Sequence, residues 1–364
     1  MRGFSLFFLL AVVVAVGNAQ SDQYLVSRQA SVSLLPAYQS WSVKDGGLSF
    51  SEFSTVFSAL FPLGRNASLS LREGGAASGG DVPSLNGFTD AQVGLMYHVE
   101  SINTLFSLGL NLPTGKTAMS TEEFGTSVLF STSLFDLQVP VFGQGFNINP
   151  GLAWVFPVGD ADVLGLAGAY QYRGSYTPLK GQSKFNPGDE FTASGGIDIR
   201  ASETVSLSTD FVFTSYTADQ FGGKDVFASG NSYWINFQYK QYFRENELLG
   251  FVGYRTISKG QIAGAGGLVD EKDRLEPGRV DVKVLYLHPI GTQSSLGISA
   301  EARVFESTSA AFSGAKVFGA GLMPTFGLGS GVTIPTRFRF QIGSLGGGKT
   351  ITGFDVGAGI ACTF

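Results

Sequence analysis

Acid–base and metal chemistry in this chain would rest first on its two histidines, His98 and His288. Nucleophilic hydrolysis needs a serine or cysteine beside a base. Neither histidine has such a setting, and neither belongs to a His/Asp/Glu cluster with ligand spacing. Both fall beside short turns, where a rim residue is the plain reading. The acidic pairs Glu122-Glu123 and Asp189-Glu190 fall in loops or at strand entries and read as solvated surface. The run Gly343–Gly348, followed by Lys349 and Thr350, has the composition of a phosphate loop. It lies between two strands rather than before a helix, so it reads as a hairpin. No catalytic, cofactor-binding or metal-binding residue is assigned, and the chain is not read as an enzyme.

A second group of charges has a different pattern. Lys240, Arg279, Asp281, Lys283, Glu301, Arg303, Arg337 and Arg339 each alternate with apolar residues. In Arg279–Leu287, Val280, Val282, Val284 and Tyr286 share one face while Arg279, Asp281 and Lys283 share the other. Phe338, Phe340 and Ile342 oppose Arg337, Arg339 and Gln341 in the same way. Side chains on a strand alternate between two faces, so these charges share a wet face whose back is apolar. They are read as lining a lumen, where charge sets which solutes pass. The competing reading is that they pair, Arg279 with Asp281 and Glu301 with Arg303, and only fill it. Trp234 shares a face with Asn236 and Lys240. It is read either as a lumen residue that stacks on a ligand or, by slight preference, as a girdle residue. Trp154, Tyr170, Tyr172, Tyr176, Tyr242 and Phe243 are read as aromatic girdles.

The elements that position these residues are strands. Counting back from Phe364, strands are expected near 350–364, 332–343, 316–327, 294–304, 279–288, 248–257, 232–243, 204–214, 190–200, 163–173, 146–157, 103–112, 88–98, 67–73, 48–60 and 31–40. That is sixteen, with fourteen as the alternative because Pro36 interrupts the first. Pro324 and Pro335 are expected at bulges or boundaries. Short turns such as 159–162 and 289–293 alternate with long stretches such as 73–86, 113–145, 174–189, 217–230 and 258–277. The segment 113–145 is expected to fold over or into the lumen, because its Leu129, Phe130, Leu134, Phe135 and Leu137 would be costly in water. The fold class is all-β: an antiparallel transmembrane β-barrel with short periplasmic turns and long extracellular loops.

Composition agrees. Charged residues are 15% of the chain, against roughly 25% in soluble domains. Nothing after residue 20 is apolar enough for a membrane helix. Net charge is -5, without a basic run, so no nucleic-acid partner is expected. Residues 1–19 read as a signal peptide, with Arg2, an apolar run from Phe4 to Val16 and a small-residue cleavage site at Ala19. Residues 20–30 then form a periplasmic tail and 31–364 the barrel. The single cysteine, Cys362, excludes an internal disulfide. The last strand carries Phe354, Val356, Ala358, Ile360, Cys362 and Phe364 on one face. Ile360 and the terminal Phe364 resemble the signal that outer-membrane barrels present to the barrel-assembly machinery.

Four phrases carry a family resemblance: Thr89–Tyr97, Phe106–Lys116, Gly145–Trp154 and Asn186–Phe191. They resemble the outer-membrane transporters encoded with phenol meta-cleavage pathways, over roughly residues 85–215. The resemblance implies a barrel related to fatty-acid and aromatic-hydrocarbon channels. It brings no catalytic residues. A fatty-acid channel would need a larger plug than the stretch before residue 40. Together these readings give a bacterial outer-membrane, porin-like channel for passive passage of small, hydrophobic or aromatic molecules. It would meet outer-membrane lipid outside and a solute within, without a cofactor. The alternatives are a structural or surface-recognition barrel with a packed lumen and, behind it, a barrel hydrolase.

Overall fold

The computed structural model describes residues 29–44, 46–159, 161–308 and 313–364. The expected leader and nearly all of the 20–30 tail lie outside these. Eighteen strand segments form one sheet. Two pairs of segments continue each other, so the sheet has sixteen strands and closes on itself. In chain order they are β1 (Ser31–Val43), β2 (Leu48–Pro62), β3 (Ala67–Gly80), β4 (Ala91–Val99, preceded by Asn86–Phe88), β5 (Thr104–Leu112), β6 (Asn147–Val158), β7 (Asp162–Arg173) and β8 (Glu190–Ile199). The second half comprises β9 (Val205–Tyr216), β10 (Ser232–Phe243), β11 (Asn246–Ile257), β12 (Arg279–Ile290), β13 (Ser294–Phe305), β14 (Ala315–Gly329), β15 (Val332–Leu345) and β16 (Thr350–Ala358 with Ile360–Thr363). Each pairs antiparallel with its neighbours in sequence, and β1 pairs with β16 to close the barrel.

Alternation explains the two surfaces. On β15, Phe338, Phe340 and Ile342 are exposed on the outside while Gln341 is buried and Arg339 nearly so. The same holds on β10, where Tyr233, Ile235 and Phe237 face out and Asn236 faces in. Apolar residues cover the outer wall, while the inner one is mixed: charged and polar on strands such as β10 and β15, apolar where buried side chains such as Trp41 and Phe50 point inward. No described helix is long and apolar enough to cross a membrane. Trp154, Tyr170, Tyr172 and Phe243 lie on the outer surface. Tyr176 does not: it sits in a loop, edge-on to Phe185 at 5.8 Å. Tyr242 does not either: Lys240 lies over its ring, 5.0 Å from the centroid, on the inner face. Trp234 also faces inward, cross-strand from Val212 and Arg255. The strand's two-residue period decided these positions against the interfacial preference of aromatic rings.

Short turns join strands at one end; at the other the connections are mostly long, the four-residue ones after β1 and β15 excepted. The long connections carry a five-stranded sheet of their own, from Phe185–Asn186, Asp219–Phe221, Lys224–Ala228, Gln261–Gly264 and Gly267–Asp270. Residues 73–80, expected as loop, continue β3 and pair with Phe50–Phe57. Their Gly- and Ala-rich sequence hides the alternation, but the partner strand supplies it. The three prolines fall in strands without ending them. Pro36 stays in register with Thr55. On its other side the ladder skips from Ala37–Gly357 to Leu34–Ile360, where β16 breaks. In the next strand Pro335 accepts from the Gly359 amide at 2.9 Å. One strand further, Pro324 accepts from Thr336 Oγ1 at 2.7 Å. The prolines thus share one line of interrupted ladder across β1, β16, β15 and β14.

The barrel's core is internal. Trp41, Phe50, Phe305, Val317 and Ile351 point inward from β1, β2, β13, β14 and β16 and meet Phe130, Leu134, Phe135 and Leu137 of the connection between β5 and β6. Phe135 lies edge-on to Trp41 at 5.4 Å and to Phe50 at 4.9 Å. Trp41 is 2% exposed. Trp41→Ala is expected to cost about 3–5 kcal/mol, the range for emptying a buried large aromatic site. Urea unfolding of the refolded barrel reads this. An unchanged midpoint would show that the contact between loop and wall adds nothing to stability.

Candidate functional site

The long connection between β5 and β6 enters the barrel, as its apolar composition required. It begins with helix α1 (Thr121–Ser131), which the strand-like run after Ser127 concealed. The missed signal is local: Ser120 and Glu123 form a capping box, each side chain bonded to the other's backbone amide. Lys116 Nζ lies 2.5 Å from Glu123 Oε1. Hydrogen bonds from Lys116 and the Ser120 amide hold that carboxyl below the usual range. The connection is pinned at both ends by one carboxylate. Asp90, 2% exposed, accepts from the Gly115 amide at 2.9 Å and the Gln144 amide at 2.6 Å. A Cβ at Gly115 would lie 2.6 Å from the Thr89 carbonyl carbon, so only glycine allows this approach.

Residues 133–139 are fixed deeper in the lumen by polar contacts. Arg303 Nη1 donates to the carbonyls of Ser133 and Leu134 at 2.9 and 3.0 Å. Arg339 Nη1 donates to Asp136 Oδ2 at 2.6 Å. Gln39 Nε2 donates to the Asp136 carbonyl, and Gln39 Oε1 accepts from the Gln138 amide. Arg337 Nη2 donates to Gln138 Oε1, and the Val139 amide donates to Glu52 Oε1. Asp136 itself adopts a left-handed backbone, φ 50°, a conformation aspartate tolerates better than most residues.

Four of the eight residues read as lumen-lining from sequence meet here. Arg303, Arg337, Arg339 and Glu301 surround the loop tip, joined by Asp355 from β16. Arg339 is 3.3 Å from Glu301 and 3.0 Å from Asp355, and Arg337 is 3.0 Å from Asp355. Arg303 is 4.0 Å from Glu301. Lys283 makes no ion pair among the described residues, but its charge acts on Asp136. Arg279 pairs with Asp281 at 2.7 Å and lies 5.9 Å from the Phe305 ring. Lys240 is apart, paired with Glu247 at 2.8 Å near the short turns. Sequence reading missed Asp90, Asp136, Gln138, Gln39 and Asp355. Asp355 sat on the inward face of the last strand and was overlooked because the strand was read for its aromatic face. Asp136 belongs to irregular chain, where no period exists to place it.

The opposite wall differs. Among the described residues the hydrogen bonds of 130–139 to the wall, and the buried apolar clusters that this segment joins, involve β1–β3 and β13–β16 and not β5–β11. That wall presents Asp198, Asp210, Asn236 and Gln238 inward, with Ser208 bonded to Asp198 at 2.6 Å. The loop therefore crowds one side of the lumen and leaves a polar wall facing it. His98 and His288 sit by short turns, the latter 2.7 Å from Asn246 Oδ1. No group of three or more His, Cys, Asp or Glu that could hold a metal occurs among the described residues.

Burial opposes the charge on Asp136, but Arg339, Arg303 and Lys283 outweigh it and hold its carboxyl well below the ordinary carboxylate range. A carboxyl whose folded pKa is depressed stabilises above its unfolded pKa and loses that contribution only as pH falls through the folded value. The Asp136 clamp is therefore expected to persist from neutral pH to below pH ~4, the unfolded aspartate range. Asp136→Asn should cost about 1.5–3 kcal/mol, as for a hydrogen bond to a charged group. Limited proteolysis within 120–139 should become faster in the variant. Equal cleavage rates in both proteins would show that Asp136 does not hold the loop.

No family model matches the chain. No curated protein is significantly similar either, so the resemblance to meta-cleavage transporters rests on the quoted phrases alone. Solved structures do match. Pseudomonas putida OprB is 8% identical with a TM-score of 0.51, covering 92% of this chain and 94% of that one. A mutant of the porin from Rhodopseudomonas blastica is 11% identical with a TM-score of 0.40, covering 92% of this chain and all of that one. At such identities the OprB likeness is one of fold: a closed barrel matched over nearly its whole length.

Proposed function

We propose that this chain is a bacterial outer-membrane channel through which small solutes pass by diffusion, narrowed by the 113–145 connection held inside it. The observation that carries this reading is the reversal of surfaces. The wall is apolar outside and carries its strand charges inside, beside an apolar patch that the loop covers, the arrangement that suits a barrel set in lipid around a partly filled, polar lumen. Closure of β1 on β16 leaves no sheet edge with unpaired backbone groups, which the hydrocarbon layer would penalise. The solved structures matched are named as a porin and OprB, and a solute channel is the activity those names bring to this fold. The loop gives the channel its constriction, and the route would run along the β8–β11 side, where the hydrogen bonds of the loop tip do not reach. The hydrophobic or aromatic solute implied by the family phrases remains a proposal on those phrases. The inward set from β10 to β15 would act mainly by fixing the loop, and through Lys283 by facing the path.

Purified protein reconstituted in a planar bilayer is expected to give discrete conductance steps. Deleting 120–139 should enlarge them several-fold. A barrel that folds but never conducts would be a packed, structural barrel. Steps of unchanged size after deletion would show that the loop does not set the bore.

Assembly is proposed to depend on the last strand. Phe364 is 77% exposed and Ile360 also faces out, so neither stabilises the inner core. The Phe364 amide still bonds the Ala30 carbonyl at 2.9 Å. Phe364→Ala is expected to lower the amount of heat-modifiable barrel recovered from outer membranes severalfold while leaving in vitro refolding yield near wild type. Equal recovery in cells would remove the terminal aromatic from the assembly signal.

A further inference from the structure

A second polar cluster lies at the loop-bearing mouth, apart from the clamp. A cavity of about 190 Å³, partly open to the mouth, sits there. Its floor is the ends of barrel strands: Arg173 of β7, Tyr216 of β9 and Arg255 of β11. Its roof is Asp219 and Phe227 of the small loop sheet, with Glu276 from the connection before β12.

The charges of this cavity are unevenly spent. Arg173 is bonded to Glu190 at 2.9 Å. Arg255 has no carboxylate at ion-pair distance among the described residues. Among the described residues its side chain makes one hydrogen bond, a 3.4 Å contact from Nε to Ser232 Oγ. It stands directly cross-strand from Arg279, and like charges so placed destabilise a sheet. Arg279 is relieved by Asp281 in direct contact; Arg255 is offset by the charge of Glu190 without an ion pair. On the roof, Glu276 makes no hydrogen bond or ion pair among the described residues, although its charge reaches Tyr216. Asp219 accepts from the Gly188 amide at 2.6 Å through one oxygen only. The cavity therefore presents, on its floor, the exposed Arg255 guanidinium without a bonded carboxylate and, on its roof, the Asp219 and Glu276 carboxylates, with no direct ion pair between the two sides; Phe227 and Ile257 complete the lining.

We propose that this cavity binds small zwitterions of the α-amino acid class. The ligand carboxylate would take the free fork of Arg255, a geometry that guanidinium and carboxylate share. The ammonium would sit against Glu276 and Asp219, and an aliphatic side chain would pack on Phe227 and Ile257. A plain anion would leave the roof carboxylates facing it, and a plain cation would face Arg255. Only a ligand with both charges satisfies both walls. The site would load the channel proposed above and in that sense rests on it, but occupancy is measured separately from current.

Isothermal titration of the folded, full-length barrel in detergent tests this with three probes of one shape. They are L-leucine, 4-methylpentanoate (no ammonium) and isoamylamine (no carboxylate). Leucine is expected to bind saturably and at least tenfold more tightly than either analogue. Arg255→Met should abolish leucine binding. Glu276→Gln should weaken leucine at least tenfold and leave 4-methylpentanoate unchanged or stronger. If 4-methylpentanoate binds as tightly as leucine to the unaltered barrel, the site is an anion site and the proposal is wrong. Absence of saturable leucine binding overturns it as well. Leucine binding to a barrel that never conducts would keep the site and remove the channel; conduction without leucine binding would do the reverse.

Discussion

The ion pair between Arg339 and Asp136 governs the inside of this molecule. Among the described residues Arg303, Arg337 and Arg339 have two wall carboxylates at ion-pair distance, Glu301 and Asp355, while Asp281 acts on Arg303 from directly across the strand pair. Asp136 adds a further ion pair from the loop. A buried charge without a partner is expensive, so the wall and the loop tip each need the other. Above that neutral cluster the apolar side chains of the loop meet Trp41 and Phe50. Docking is thus specified twice: apolar contact places the segment and charge fixes its depth. Asp90 completes the arrangement by tying the two ends of the connection to one carboxylate.

This economy divides the lumen into unlike halves. The side from β13 through β16 to β2 spends its charges on the chain's own loop. The side from β8 to β11 keeps Asp198, Asp210, Asn236 and Gln238 free of it. A set of inward charges is therefore not a measure of what a solute meets. Arg303 and Arg339 face inward, yet each is largely occupied with protein groups. Lys283 and Arg255, with no ion pair among the described residues, are more available.

The barrel was legible because its rule is periodic. Val280, Val282 and Val284 against Arg279, Asp281 and Lys283 fix faces, and the alternating connection lengths fix direction. Where small residues replaced apolar ones, as in Gly74–Gly80, the period vanished and the strand end was missed by several residues. Trp234 shows the rule overriding a preference: its face was readable from Asn236 and Lys240, while its aromatic character pointed to a girdle. The site was half legible. Residues two apart on a strand share a face in the structure, as Arg337 with Arg339 and Glu301 with Arg303 do, since two-residue spacing suffices. Asp136, Gln138 and the cavity around Arg255 were not, because they depend on non-local contacts such as Arg339 with Asp136, 203 positions apart. Only the capping box at Ser120 was a local feature available and unused.

The line of prolines and Gly359 at the closing seam sets an order of events. Most strand pairs join consecutive segments across a connection, so they can form as the chain emerges. The junction of β1 with β16 brings together the two ends of the described chain, and it carries the larger loop-closure entropy. It is also the junction where the ladder is broken at Pro36 and Gly359, with the interruption continuing through Pro335 and Pro324. An interrupted stretch of ladder thus coincides with the most non-local contact. Such a cylinder zips shut last at that line and, under load or heat, parts there first.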